Sequence, residues 1–157
     1  MKKNAGFTLI EVLIAMVVLA VGLLGLAALQ ATSLRNNQSA YFRSQAVQFS
    51  YNIADRIRAN RVEALKGLTG KYLTTAAKDA NQKSECTTKN GNCTPVNMAE
   101  NDLAEWYNTV TGDLPNPSAG ILFDGTGNIF TITLQWDENR SGAPDVADPT
   151  FRMSFKL

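Results

Sequence analysis

The chain has 157 residues, a formal net charge of +1 and no histidine. A near-neutral balance points to no polyanionic partner. Without histidine the commonest general base and the commonest metal ligand are both gone, so an enzyme is not expected. The length fits one membrane segment plus one modest soluble domain.

From Val12 to Leu29 there is no charged residue and no proline, and only Gly22 and Gly25 are weak helix formers. That run is long enough to span a bilayer as a helix. Glu11 stands at its start, where an ionisable side chain costs up to a few kcal/mol, on the order of 3 at the centre and less near an end. Lys2 and Lys3 precede the run and, by the positive-inside rule, stay cytoplasmic while the C-terminal portion is exported. An ordinary signal peptide is the alternative. Against it, the apolar run is too long, it carries Glu11, and Leu29-Gln30-Ala31 makes a poor small-x-small site. What looks cleavable lies on the basic side, at Gly6-Phe7.

The stretch Gly6-Phe7-Thr8-Leu9-Ile10-Glu11-Val12-Leu13-Ile14-Ala15 resembles the signal and N-methylation motif of type IV pilins and type II secretion pseudopilins. Its continuation, Met16 to Gln30, is similar to the PilV family of minor pilins. The resemblance implies that a prepilin peptidase cuts after Gly6 and methylates the new amine of Phe7. It implies packing through Leu9, Ile10, Val12, Leu13 and Ile14, with Glu11 setting subunit register. It also implies other minor pilins, the major pilin, the inner-membrane assembly platform and a PilY-type tip adhesin as partners. The family has no cofactor and no catalytic residue.

Physical chemistry supports the pairing independently. A new N-terminus at Phe7 carries a positive α-amino group at neutral pH. A neighbour's Glu11 can pair with it, and a paired charge costs less than an isolated one in lipid. A helix N-terminus also favours a nearby carboxylate. The alternative is that Glu11 snorkels to the interface as an anchor flank. Gly22 and Gly25 either let partner backbones approach, ease local melting, or are simply tolerated.

Beyond Leu29 the pattern becomes amphipathic. Phe42, Ala46, Phe49, Ile53 and Ile57 recur at helical spacing, and Leu65-Lys66-Gly67 reads as a stop, so one helix is expected from about Thr8 to Lys66. Arg56, Arg58 and Arg61 are interrupted by Asp55 and lack interleaved aromatics. They read as a solvated face, with no nucleic-acid partner.

Residues 67–96 form a polar connector holding Cys86 and Cys93, with Asn90-Gly91 between them as a natural tight turn. In an exported domain two cysteines this close predict a disulfide, worth roughly 2–3 kcal/mol in the chain-entropy picture. The spacing is not Cys-x-x-Cys, and a metal reading lacks ligands. A helix is predicted from about Met98 to Val110, capped by Asn97, with Glu100 in its first turn and Ala99, Leu103, Trp106 and Val110 on one face. Period-two strands follow: Ile121 to Phe123, a reversal at Asp124–Asn128, Asn128 to Trp136, and Thr150 to Leu157. The loop at 137–148 reads as a polar hairpin. Its oxygens offer calcium as an alternative, although EF-hand spacing is absent and Arg140 opposes a cation.

The expected architecture is α+β, a long N-terminal helical spine packed on a small antiparallel sheet of three or four strands. The expected segments are a cleaved leader (1–6), a transmembrane or filament-core helix (7–30), its amphipathic continuation (31–66) and a periplasmic head (67–157). The expected protein is an inner-membrane single-pass subunit that then joins a pilus on the cell surface. Two further readings stay open: a minor pseudopilin of a type II secretion system, and a single-pass anchored periplasmic binding module.

Overall fold

The computed structural model describes residues 8–75, 77, 80–88 and 91–157. The chain divides into an N-terminal unit that reaches Ala40 and a second unit, Tyr41–Leu157. Helix α1, Leu9–Ala59, runs through 51 residues without a break, including Gly22 and Gly25. Leucine and alanine, neither branched at Cβ, outnumber isoleucine and valine in its first half, and they lose little side-chain freedom in a helix.

The helix is shorter than its sequence suggests. It ends at Ala59 rather than Lys66, because Asn60 leaves the helical region with ψ 57°. The Asn60 amide donates to the Pro95 carbonyl at 2.7 Å, so a tertiary bond holds the break. A single turn, α2 (Arg61–Ala64), and a 3-10 turn (Gly67–Thr69) follow. The predicted stop at Gly67 does carry a left-handed residue, φ +54°, and a Cβ there would meet the Phe123 ring at 2.6 Å. Glycine answers both constraints.

In the second unit the amphipathic stripe is buried as expected. Ala46, Phe49, Ile53 and Ile57 are in the core and Phe42 packs against it. After a short turn, α3 (Ser84–Thr87), helix α4 spans Pro95–Asp113. It starts three residues earlier than predicted. Thr94, not Asn97, is its cap: the Thr94 hydroxyl accepts from the Asn97 N–H at 3.2 Å, with Pro95 at the first helical position. Glu100 therefore lies beyond the first turn. The predicted face of Ala99, Leu103, Trp106 and Val110 is buried.

Three antiparallel strands close the fold in the order β1 (Ser118–Asp124), β2 (Ile129–Gln135), β3 (Thr150–Lys156). The register sets Ile121 opposite Ile132 and Ile132 opposite Met153. Phe130, Ile132 and Leu134 point into the core, and the alternate residues of β2 are only half-buried. The Phe130 ring lies 4.8 Å from Phe123 and 5.6 Å from Phe155, centroid to centroid, so all three strands meet in one aromatic row. Each fully buried Ile, Leu or Phe contributes about 1.5–3 kcal/mol.

This packing makes a direct prediction. Ile132→Ala should cost about 2–5 kcal/mol in a chemical denaturation curve, because the filled centre of the sheet cannot collapse around the lost atoms. Val62→Ala, at a side chain 65% exposed, should stay within about 0.5 kcal/mol.

Candidate assembly interface

The described part of the N-terminal unit is a single apolar helix. Every large apolar side chain from Leu9 to Leu29 is at least 46% exposed, and these residues lie on all sides of the helix. Leu9, Ile10, Val12, Leu13 and Ile14, the predicted packing residues, are all among them. Among the described residues α1 is the one helix long and apolar enough to cross a membrane. Glu11 sits in its first turn, with its N–H donating to the Thr8 carbonyl at 3.1 Å. Ala15 and Leu19 follow it at four-residue steps, so the carboxylate heads an apolar stripe. Gly6 and Phe7, the predicted cleavage and methylation positions, lie outside the described residues.

The second unit holds a polar network that sequence reasoning missed. Arg56 bonds Asp102 at 3.1 Å and Glu105 at 2.8 Å, while Asp102 also accepts the hydroxyl of buried Tyr72. Asn101 accepts the Lys83 N–H at 3.0 Å, and its own amide donates to Glu105. Lys83 in turn pairs Glu100 at 2.7 Å, and Lys71 lies 3.6 Å from the same carboxylate. The connector is thus tied to α4, and α4 to α1. Arg56 is not a solvated-face residue as expected. Arg58 is likewise engaged, bonded to Asp55 at 2.9 Å and stacked 4.6 Å over the Phe155 ring. A residual hint was present: Asp102 and Glu105 are three apart on a predicted helix and can flank one guanidinium.

Cys86 and Cys93 are joined in a disulfide with Cα atoms 4.8 Å apart. Glu85, just before the bridge, accepts from the Asn97 amide at 2.8 Å, so the predicted cap residue holds the start of the loop instead. Of the predicted turn, Asn90 lies outside the described residues, and the Gly91 N–H donates to the Thr88 carbonyl at 3.1 Å.

At 137–148 two buried aspartates organise the loop from inside. Asp137 accepts the N–H groups of Ser141 and Gly142, each at 2.8 Å. Asp148 accepts those of Glu138 at 3.1 Å and Asp145 at 2.9 Å. These oxygens are turned to backbone donors rather than to a common point where calcium would sit. Among the described residues no group of three or more His, Cys, Asp or Glu could hold a metal.

Residues 1–27 match the prokaryotic N-terminal methylation motif, and residues 28–104 match the family described as type IV pilin Tt1218. No curated protein and no solved structure matches the chain. The two family matches run without a gap over the first 104 residues, and the α+β fold agrees with them: the chain belongs to the type IV pilin superfamily. It is a pilin subunit, of a structural and non-enzymatic family, and its motif and apolar helix fit a membrane-anchored pilin.

The carboxylates of the second unit set its acid response. Burial works to raise the Glu63 carboxyl, but the Lys66 ammonium and the Lys71 N–H outweigh it and hold it below the ordinary value. Asp137 behaves alike: burial raises it, and the N–H donors of Gly142 and Ser141 bring it below. Hydrogen bonding to Lys83 lowers Glu100, and bonding to Arg56 lowers Glu105. Folded values below unfolded ones mean stability that is complete above about pH 4.5 and is lost as pH falls through the depressed values. The thermal midpoint of the full chain in detergent should therefore be level from about pH 7 to 5 and fall below about pH 4, with Glu63→Gln flattening the decline.

Proposed function

We propose that the chain is a PilV-like minor pilin of a type IV pilus. In this reading the prepilin peptidase removes residues 1–6, and the amine of Phe7 is methylated. The subunit waits in the inner membrane with its head in the periplasm. It then joins other minor pilins in a complex that primes filament assembly, remains at the tip, and supports adhesion or twitching. The prepilin peptidase, the assembly platform, the major pilin and a PilY-type adhesin are the partners this role requires.

One observation carries the reading: a single carboxylate in the first turn of an apolar helix whose side chains are uncovered all round. Lipid solvates such a helix but penalises the charge by up to about 3 kcal/mol. Lateral packing against another pilin helix keeps the apolar contacts and can place a freed amine beside Glu11. Axial stagger between subunits then follows from charge pairing, because only one register brings the two groups together. The matched methylation motif supports the same chemistry at the N-terminus.

Mass spectrometry of sheared pili tests it. The subunit should be present and begin at a methylated Phe7. A chain that keeps Met1, Lys2 and Lys3 and never enters a filament would overturn the proposal in favour of an anchored periplasmic module. Glu11→Ala should insert into the membrane as well as the parent protein, while its amount in pili falls at equal cellular abundance. Normal incorporation of that variant would refute the register role.

A further inference from the structure

The two edges of the sheet differ. On the β1 side Thr74 closes the edge: its N–H donates to the Ile121 carbonyl at 3.1 Å and its carbonyl accepts from the Ile121 N–H at 2.7 Å. On the other side β3 is the last strand, and among the described residues no segment pairs with its outer edge. The ladder's phase says which groups are left over. Leu157 N–H donates to the Asn128 carbonyl at 3.3 Å, so the odd residues of β3 bond β2. Bonding alternates along an antiparallel pair, so Arg152, Ser154 and Lys156 aim their N–H and C=O groups away from the sheet. The Thr74–Ile121 pair gives the same phase independently. Ile121 spends its backbone groups outward, so its partner Ile132 bonds Met153 instead.

Side chains at this edge are equally incomplete. Phe151 and Met153 face the core but are only half-buried, leaving an apolar ledge beside the strand. Arg152 and Lys156 stand on the opposite face, and their neighbours across β2 are Thr133 and Ile129, neither of them acidic. Neither cation forms an ion pair among the described residues. Charges on an edge strand deter indiscriminate pairing. They also select, since an opposite charge across the strands is favourable and a like one is not.

We infer that the outer edge of β3 is a docking site for an extended strand of a different pilin subunit. That strand would carry apolar side chains over Phe151 and Met153 and acidic side chains beside Arg152 and Lys156. A second copy of β3 fits poorly. Its residues Thr150–Lys156 hold no acidic side chain to set beside Arg152 and Lys156, and the register centred on Ser154 sets Arg152 against Lys156. The identity of the partner as a pilin rests on the filament reading; the edge itself does not.

The test needs no filament. The full chain in detergent micelles is given a seven-residue peptide of alternating Val and Glu, and amide exchange of the segment 150–157 is followed. Binding by strand addition should slow that segment by about tenfold, whereas a peptide of alternating Val and Lys should leave it unchanged. Ser154→Pro removes an outward N–H while sparing the ladder to β2, and should abolish the slowing. Ser154→Ala, which loses only the 2.9 Å bond between the Ser154 and Thr131 hydroxyls, should retain it. No slowing, equal slowing by the Lys peptide, or full slowing in Ser154→Pro would each overturn the proposal. Slowing that tracks protein concentration without peptide would also overturn it, in favour of self-pairing. Absence of the chain from pili would instead count against the filament reading alone.

Discussion

From Leu9 to Leu29 the N-terminal unit presents large, exposed apolar side chains around the full circumference of a helix. Water cannot be their solvent, since each such side chain would forfeit about 1.5–3 kcal/mol by staying wet. Lipid can be, and so can other helices of the same kind. The two solvents differ at one residue. Lipid gives Glu11 no partner, whereas a bundle of staggered helices can. That carboxylate, in the first turn of the helix, is therefore the group for which the two surroundings differ most. Membership of the pilin superfamily agrees with the second alternative.

The second unit obeys a different constraint. Its core is built on Phe49, Ile53, Trp106, Ile121, Ile132 and Trp136, and it is small. A long connector must be held against that core with few apolar residues to bury, chiefly Tyr72 and Ala77, with Leu73 and Ala80 beside them. Polar bonds do the holding. Arg56, Tyr72 and Asp102 form one contact, Lys83, Asn101 and Glu105 another, and the Cys86–Cys93 bridge draws the loop over the start of α4. Breaking one member of such a network leaves its partner buried and unpaired, which costs more than the bond contributes. The Trp106 indole shows the same economy, donating to the Phe49 carbonyl at 2.9 Å inside the core.

Periodicity revealed most of the elements. The stripe from Phe42 to Ile57, the face from Ala99 to Val110 and the alternation from Phe130 to Leu134 were legible because burial repeats at 3.6 or 2 residues. The ends were less so. Asn60 looked like one more helical position, since what breaks the helix there is its bond to the Pro95 carbonyl, 35 residues away. Local composition offers both Asn97 and Thr94 as caps, and Pro95 directly after Thr94 is the stronger signal. Arg56 read as solvated because its acids come from α4, and a partner that far along the chain leaves no trace in local charge spacing.

Sequence alone determined the apolar helix, its lone carboxylate, the paired cysteines and the alternating strands, because each depends on neighbours within a few positions. Tertiary structure decided where α1 stops, which cations are engaged, and how the aspartates of the 137–148 loop are used. It also decided that Thr74 closes one side of the sheet while, among the described residues, nothing pairs with the outer side of β3. Those outcomes depend on which remote groups meet when the core forms. A residue's own chain neighbourhood carries no record of that meeting.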